Sequence, residues 1–308
     1  MFLGSAHVEW GRVRSYYFND ENYVNESLQL WSPSRSSSGS IGPGSFSFRF
    51  EFVIPSHVPS SFYDEYTGAY ISYEIKAHAT NCWLPLISDY EDSATVYVLQ
   101  QASISESNLT TSISVVKRKQ LGCLCCAAGN VEFVAKLPRT GYCVTNRDTI
   151  PLVVDVQNNS TRVIELRAKI VQKISMFALF DTKVCRRSVG VIYSLPIQPG
   201  ESFEWNPANW SISKLSPTIH NNGCSIIRVE YTLEVSAIIP KTLNLKCKIP
   251  LFMGTLPYTC SAEGLERALL GAIIAVMVRA GSSADTRDND VEEECNDHNC
   301  TSEKDTLI

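Results

Sequence analysis

The densest group of reactive side chains in the sequence is Cys123-Leu-Cys-Cys126, with Cys143 further along. Thiolates spaced this closely suit a zinc ion or, beside a membrane, acylation. A structural zinc site wants a second close pair, and Cys143 stands alone, so the cluster reads as small buried hydrophobes at the start of a strand. Cys295 and Cys300 with His298 lie among carboxylates and match no structural zinc spacing. His7, His57, His78, His220 and His298 are far apart and form no catalytic or metal-binding spacing. There is no G-x-S-x-G, no H-E-x-x-H and no phosphate-binding glycine loop. These residues predict neither an enzyme nor a bound cofactor or metal.

Alternation of apolar and polar residues dominates the first 250 positions, so the elements carrying these side chains are strands. Phe46-Ser-Phe-Arg-Phe-Glu-Phe52 puts four phenylalanines on one face of a predicted strand and makes that face core. Tyr70–Ala77 and Ala94–Leu99 continue the series. A second series takes in Val131–Leu137, Ile150–Val156, Val163–Ile174, Ser188–Leu195, Ser225–Ser236 and Leu245–Phe252. Turn signals at Pro199-Gly200 and Asn221-Asn-Gly223 fit a two-sheet sandwich. The expected fold is all-β, with two tandem immunoglobulin-like β-sandwiches over residues 1–112 and 123–260. A short apolar helix follows over 261–280, with helical periodicity from Glu263 to Arg279, and then a disordered acidic tail over 281–308. Ser32–Ser40 reads as a serine-rich loop whose serines are candidate phosphorylation sites near Arg35.

The chain has 308 residues, 44% of them hydrophobic, and a formal net charge of −5, enough length for two domains and no basic excess for nucleic acid. No run of 18 apolar residues occurs, and Ala268–Val278 is shorter than the roughly 20 residues that a bilayer core requires. Met1-Phe2-Leu3-Gly4-Ser5 lacks the pattern of a secretory signal, which predicts cytosolic thiols for the eleven cysteines. It also predicts unmodified sequons at Asn25, Asn108, Asn158, Asn159, Asn209 and Asn299. Residues 281–308 hold nine acidic and two basic residues, so the rest of the chain is slightly basic. Contact with an anionic membrane or an acidic cargo tail is therefore permitted by charge.

Several stretches taken together resemble one family, the arrestin domain-containing proteins or α-arrestins. They are Gly4–Trp10 with the tyrosines Tyr16, Tyr17 and Tyr23, then Gly44–Pro55, Pro59-Ser-Ser-Phe62 and Gly68–Ile75. Gly122–Cys126, Gly129–Phe133, Gly141-Tyr-Cys143, Asn158-Asn-Ser160, Trp205, Cys224–Tyr231 and Ile249–Thr255 follow in family order. The resemblance spans roughly residues 4–258. It implies two arrestin-type β-sandwiches and an adaptor that binds membrane receptors or transporters as cargo, recruits ubiquitin ligases and directs endocytosis and sorting. The implied place is the cytoplasm, with recruitment to the plasma membrane or endosomes.

The sequence departs from the family pattern twice. The family's ligase-recruiting P-P-x-Y motif is absent, with no proline after Pro257. The strands that usually precede the segment matching Gly4 are also missing, which predicts a first sandwich short of its first strands and points either to a shortened isoform that competes with a full-length relative or to an incomplete gene model. Cys224 matches the cysteine through which the thioredoxin-interacting member of the family bonds thioredoxin. The resemblance therefore also implies, as an alternative, a redox-linked binding module using Cys224.

Overall fold

In Phe2–Arg12 (β1) every second residue from Phe2 to Trp10 faces inward, and Phe2, Ala6, Val8 and Trp10 are buried along it. β1 turns back into Ser15–Glu26 (β2) as an antiparallel hairpin. The register slips between Gly4 and Ser5, leaving Tyr23 as the extra residue of a β-bulge on β2. The computed structural model describes residues 1–32, 45–79, 90–123, 126–146, 148–207, 210–212, 215–220 and 223–256. The expected helix at 263–279, the acidic tail, the Cys295–Cys300 group and most of the serine-rich loop fall outside them.

In the first sandwich, β1 and β2 join Phe62–Tyr63 (β3), Tyr70–Ala79 (β4) and Tyr90–Val96 (β5) in one sheet of order β2-β1-β4-β3, with β5 also paired to β4. Gly4 is forced by packing, since a Cβ there would sit 2.6 Å from the Tyr73 ring. Over the core face of this sheet the described layer is irregular chain, not a second ladder. Phe52 packs on Phe2 with ring centroids 5.6 Å apart, Val58 is buried, and the Tyr73 hydroxyl donates to the Pro59 carbonyl. The strand expected over 46–52 does not form, and Phe46 and Phe48 are 56% and 41% exposed. Alternation assigns faces to a segment, but a strand also needs a neighbour for its backbone groups, and no described segment pairs with this one.

After the short helix Ser107–Thr110 (α1), the second sandwich closes fully. One sheet runs in the order Asp181–Tyr193 (β11), Glu165–Ala178 (β10), Ile227–Ile238 (β13), Leu245–Gly254 (β14) and Gly141–Cys143 (β8). The other runs Ser202–Trp205 (β12), Val153–Ser160 (β9), Cys126–Leu137 (β7) and Ile113–Cys123 (β6). All ladders are antiparallel except β14 with β8. Phe133, Tyr142, Leu166 and Leu233 are buried between the sheets, and the core cluster continues into the first sandwich. The sequon residue Asn158 is fully buried as a structural clamp. Its amide donates to the Arg162, Ile197 and Gln198 carbonyls, and its oxygen accepts from Ser160. The tandem all-β architecture is therefore as the periodicity required, and the second sandwich carries the complete pair of sheets.

Candidate docking surface

Two hairpin tips meet where the sandwiches join. The β1–β2 turn exposes Val13 completely and the β10–β11 turn exposes Leu179 and Phe180, the last 95% exposed with φ of 65°. Left-handed backbone is unfavourable for a bulky side chain, so this turn is held by its surroundings. Asp181 does the holding. Its carboxylate accepts from Trp10 Nε1 at 3.0 Å and pairs with Arg12 at 3.0 Å, while Asn19 donates to the Phe177 carbonyl. Apolar and aromatic groups at two adjacent, rigidly tied tips, flanked by Arg12 and Arg14, form a surface suited to a partner and leave no acid–base pair poised for chemistry.

Three further contacts fix the seam beneath the tips. Glu21 accepts from the Ser225 backbone at 2.8 Å and from its hydroxyl at 2.9 Å. Asp64, whose side chain is 1% exposed, pairs with Arg187 at 2.6 Å and accepts from Thr67. Arg187 lies over the Tyr66 ring and donates to Gln172, which donates to the Tyr231 hydroxyl, which in turn donates to the Ser216 carbonyl. On the opposite flank the Thr255 hydroxyl donates to the Gln100 carbonyl and accepts from the Ala102 backbone. A groove of about 530 Å³ opens nearby between β3, β4 and the end of β5, lined by Tyr63, Tyr70, Tyr97 and several serines, with no His, Cys or acidic side chain in its wall.

Cys224 sits inside this seam. It is 6% exposed, its sulfur accepts from the Ile227 backbone at 3.3 Å, and Tyr23 sets its hydroxyl beside the thiol. Burial pushes the Cys224 thiol above its ordinary value, against the opposing pull of its hydrogen-bond donors. The neighbouring Gly223 has φ of 84°, and a Cβ there would lie 2.1 Å from the His57 carbonyl oxygen, so the segment is clamped to the first sandwich. A mixed disulfide through Cys224 requires this clamp to open first.

The other sequence-predicted groups remain dispersed. Cys143 is buried beside Thr145, His7 pairs with Asp20 at 2.7 Å, and the side chains of Cys123 and Cys126 lie outside the described set. Among the described residues no group of three His, Cys, Asp or Glu is arranged for a metal ion, and no helix is long and apolar enough to cross a membrane. Sequence reading missed the pairing of the hairpin tips. Only Val13, a hydrophobe set between Arg12 and Arg14, and the adjacent hydrophobes Leu179 and Phe180, which break the alternation, pointed to them.

Two family models match the chain. Residues 4–104 fit the N-terminal domain of arrestin (or S-antigen) and residues 127–258 fit its C-terminal domain. Among curated relatives, human arrestin domain-containing protein 4 is 31% identical over 245 residues, covering 78% of this chain and 56% of the relative. Its mouse counterpart is 29% identical over 244 residues, with the same coverage of 78% and 56%. Human thioredoxin-interacting protein is 26% identical over 215 residues, covering 69% of this chain and 53% of that protein. The chain thus spans a little over half the length of the curated relatives it matches.

Proposed function

The chain belongs to the arrestin domain-containing, or α-arrestin, family, and on that premise we propose that it is a non-enzymatic adaptor that docks membrane receptors or transporters and directs their endocytosis and sorting. The observation that carries this reading is the pair of exposed tips, Val13 on one sandwich and Leu179-Phe180 on the other, locked side by side through Asp181. A rigid double sandwich presenting adjustable loops is a general way to build a binding surface. The adaptor works in the cytoplasm and is recruited to the plasma membrane or endosomes by its cargo. A ubiquitin ligase is the further partner that this reading implies for the complex. The redox alternative gains no support from the burial of Cys224.

Affinity purification of the tagged chain from cells tests the reading. Wild type is expected to recover membrane-protein cargo and endocytic factors, and the double variant Val13→Asp, Phe180→Asp to lose the cargo. Recovery of no membrane protein by wild type overturns the adaptor reading. An unchanged cargo set with the double variant overturns the assignment to the tips.

A further inference from the structure

The turn from β3 to β4 sets one tyrosine against the seam without burying it. Asp64 opens the turn, its carbonyl accepting from the Thr67 and Gly68 backbones at 3.3 and 2.8 Å, and Gly68 takes the left-handed conformation at φ of 71°. Tyr66 stands at the tip beside Glu65 and is 76% exposed. Its ring nevertheless meets the second sandwich, since the Arg187 guanidinium of β11 lies 5.1 Å from the ring centroid. Among the described residues the Tyr66 phenol oxygen makes no hydrogen bond, so the nucleophilic atom of this side chain is open to a reagent from solvent.

Arg187 is held through two of its three nitrogens. Nη1 pairs with Asp64 at 2.6 Å and Nε donates to Gln172 at 2.7 Å, which fixes the plane of the guanidinium. Nη2 meets no acceptor among the described residues and the side chain is 37% exposed, so one arm of the fork is spare beside the Tyr66 ring. Asp64 is buried and also accepts from Thr67, and stripping it of Arg187 would strand a carboxylate away from water. A second anion arriving at this guanidinium is therefore taken by the spare arm while Asp64 keeps its place. Tyr63, at the end of β3, is also exposed, but no cation lies over its ring among the described residues.

We propose that Tyr66 is a phosphorylation site and that its phosphate docks on the spare arm of Arg187, locking the β3–β4 turn of the first sandwich to β11 of the second. In the transfer the Tyr66 phenol oxygen forms a bond to the γ-phosphorus of ATP, and the bond from that phosphorus to the β–γ bridging oxygen breaks. ADP leaves with the electron pair, and the phenol proton passes to the base of a protein tyrosine kinase. The product carries about two negative charges and three acceptor oxygens at neutral pH, and an arginine–phosphate pair is among the stronger charge-assisted contacts. The proposal rests on the seam and stands independently of the cargo reading.

The full chain is incubated with ATP and a protein tyrosine kinase of broad specificity, with a tyrosine peptide as an internal control. Modified residues are mapped by mass spectrometry, and hydrogen exchange is compared with and without treatment. Phosphate is expected on Tyr66, and exchange across β3 and the start of β4 is expected to slow by roughly 3- to 10-fold. Tyr66→Phe, treated identically, is expected to show no slowing, and Tyr63→Phe to slow as wild type does. Arg187→Lys keeps the charge but loses the fork, and is expected to lose most of the slowing, with circular dichroism reporting the folding of each variant. Failure to modify Tyr66 while the control peptide reacts overturns the site. Unchanged exchange after modification overturns the docking on Arg187, as does full slowing in Tyr66→Phe or Arg187→Lys. Faster exchange also overturns it and shows instead that the phosphate repels Asp64 and opens the seam.

Discussion

Two β-sandwiches built from similar alternating sequence are closed in different ways. The second brings two hydrogen-bonded sheets together over Phe133, Tyr142, Leu166 and Leu233, all fully buried. The first has one described sheet, covered by irregular chain that reaches the core through Phe52, Val58 and Pro59, while Phe46 and Phe48 remain exposed. The difference teaches that an apolar face is a demand and not a guarantee, because burial depends on whether another layer arrives to cover it. It also makes the first sandwich lean on the second through Asp64–Arg187, Asp181 with Trp10 and Arg12, and Glu21 with Ser225. Sub-global opening is therefore expected to begin in the first sandwich.

The largest expected effect tests the closed core. Phe133→Ala removes a fully buried ring between two sheets and is expected to cost about 3–5 kcal/mol in urea unfolding. A cost below ~1 kcal/mol would mean that the second sandwich is as loosely covered as the first.

Next comes the seam. Asp64→Ala strands the Arg187 guanidinium and two donors from Thr67, and the expected loss is about 2 kcal/mol once the partial exposure of Arg187 is allowed for. The signature should be regional, with hydrogen exchange accelerating in β1–β4 more than in β7 and β9. Uniform acceleration in both sandwiches would show that they open as one.

A smaller effect is the response to alkaline pH. The Cys224 thiol and the Tyr23 and Tyr73 hydroxyls are all raised, chiefly by burial. A group held protonated in the folded chain contributes stability that is whole below its unfolded value and is lost as pH rises through the folded one. For the thiol, whose ordinary value is 9.0, the urea midpoint should be flat below that pH and fall above it. Cys224→Ala should flatten the early part of that fall. Fast labelling of Cys224 by a thiol reagent at neutral pH, without unfolding, would show instead that the seam opens readily and would revive the redox reading.

The smallest effect belongs to the uncovered aromatic run. Phe46→Ser is expected to change stability by less than about 0.5 kcal/mol, because the side chain is already more than half exposed. A loss comparable to that of Phe133→Ala would show that a further layer covers this run.

Much of the fold was legible because side-chain alternation is local. Tyr70–Ala77, Val131–Leu137 and Leu245–Phe252 fall within observed strands, Ser225–Ser236 overlaps β13 from Ile227 onward, and Pro199-Gly200 marks a real turn with Gly200 at φ of 80°. Phe46–Phe52 misled by the same rule, since it carries the alternation without a backbone partner among the described residues. Cys224 was legible as a residue but not as an environment. Tyr23 lies about two hundred positions away in β2, and His57 packs against the adjoining Gly223, so only the fold brings these groups to the thiol.

By itself the sequence determined the all-β class, the tandem arrangement and the family, since period-two patterning and ordered motifs are properties of the linear chain. Only the tertiary structure decided which apolar faces are covered, that Val13 and Phe180 share one surface, and that Asp64 finds Arg187. Those outcomes depend on register and on contacts between residues distant in sequence, where a shift of one position turns every side chain to the opposite face.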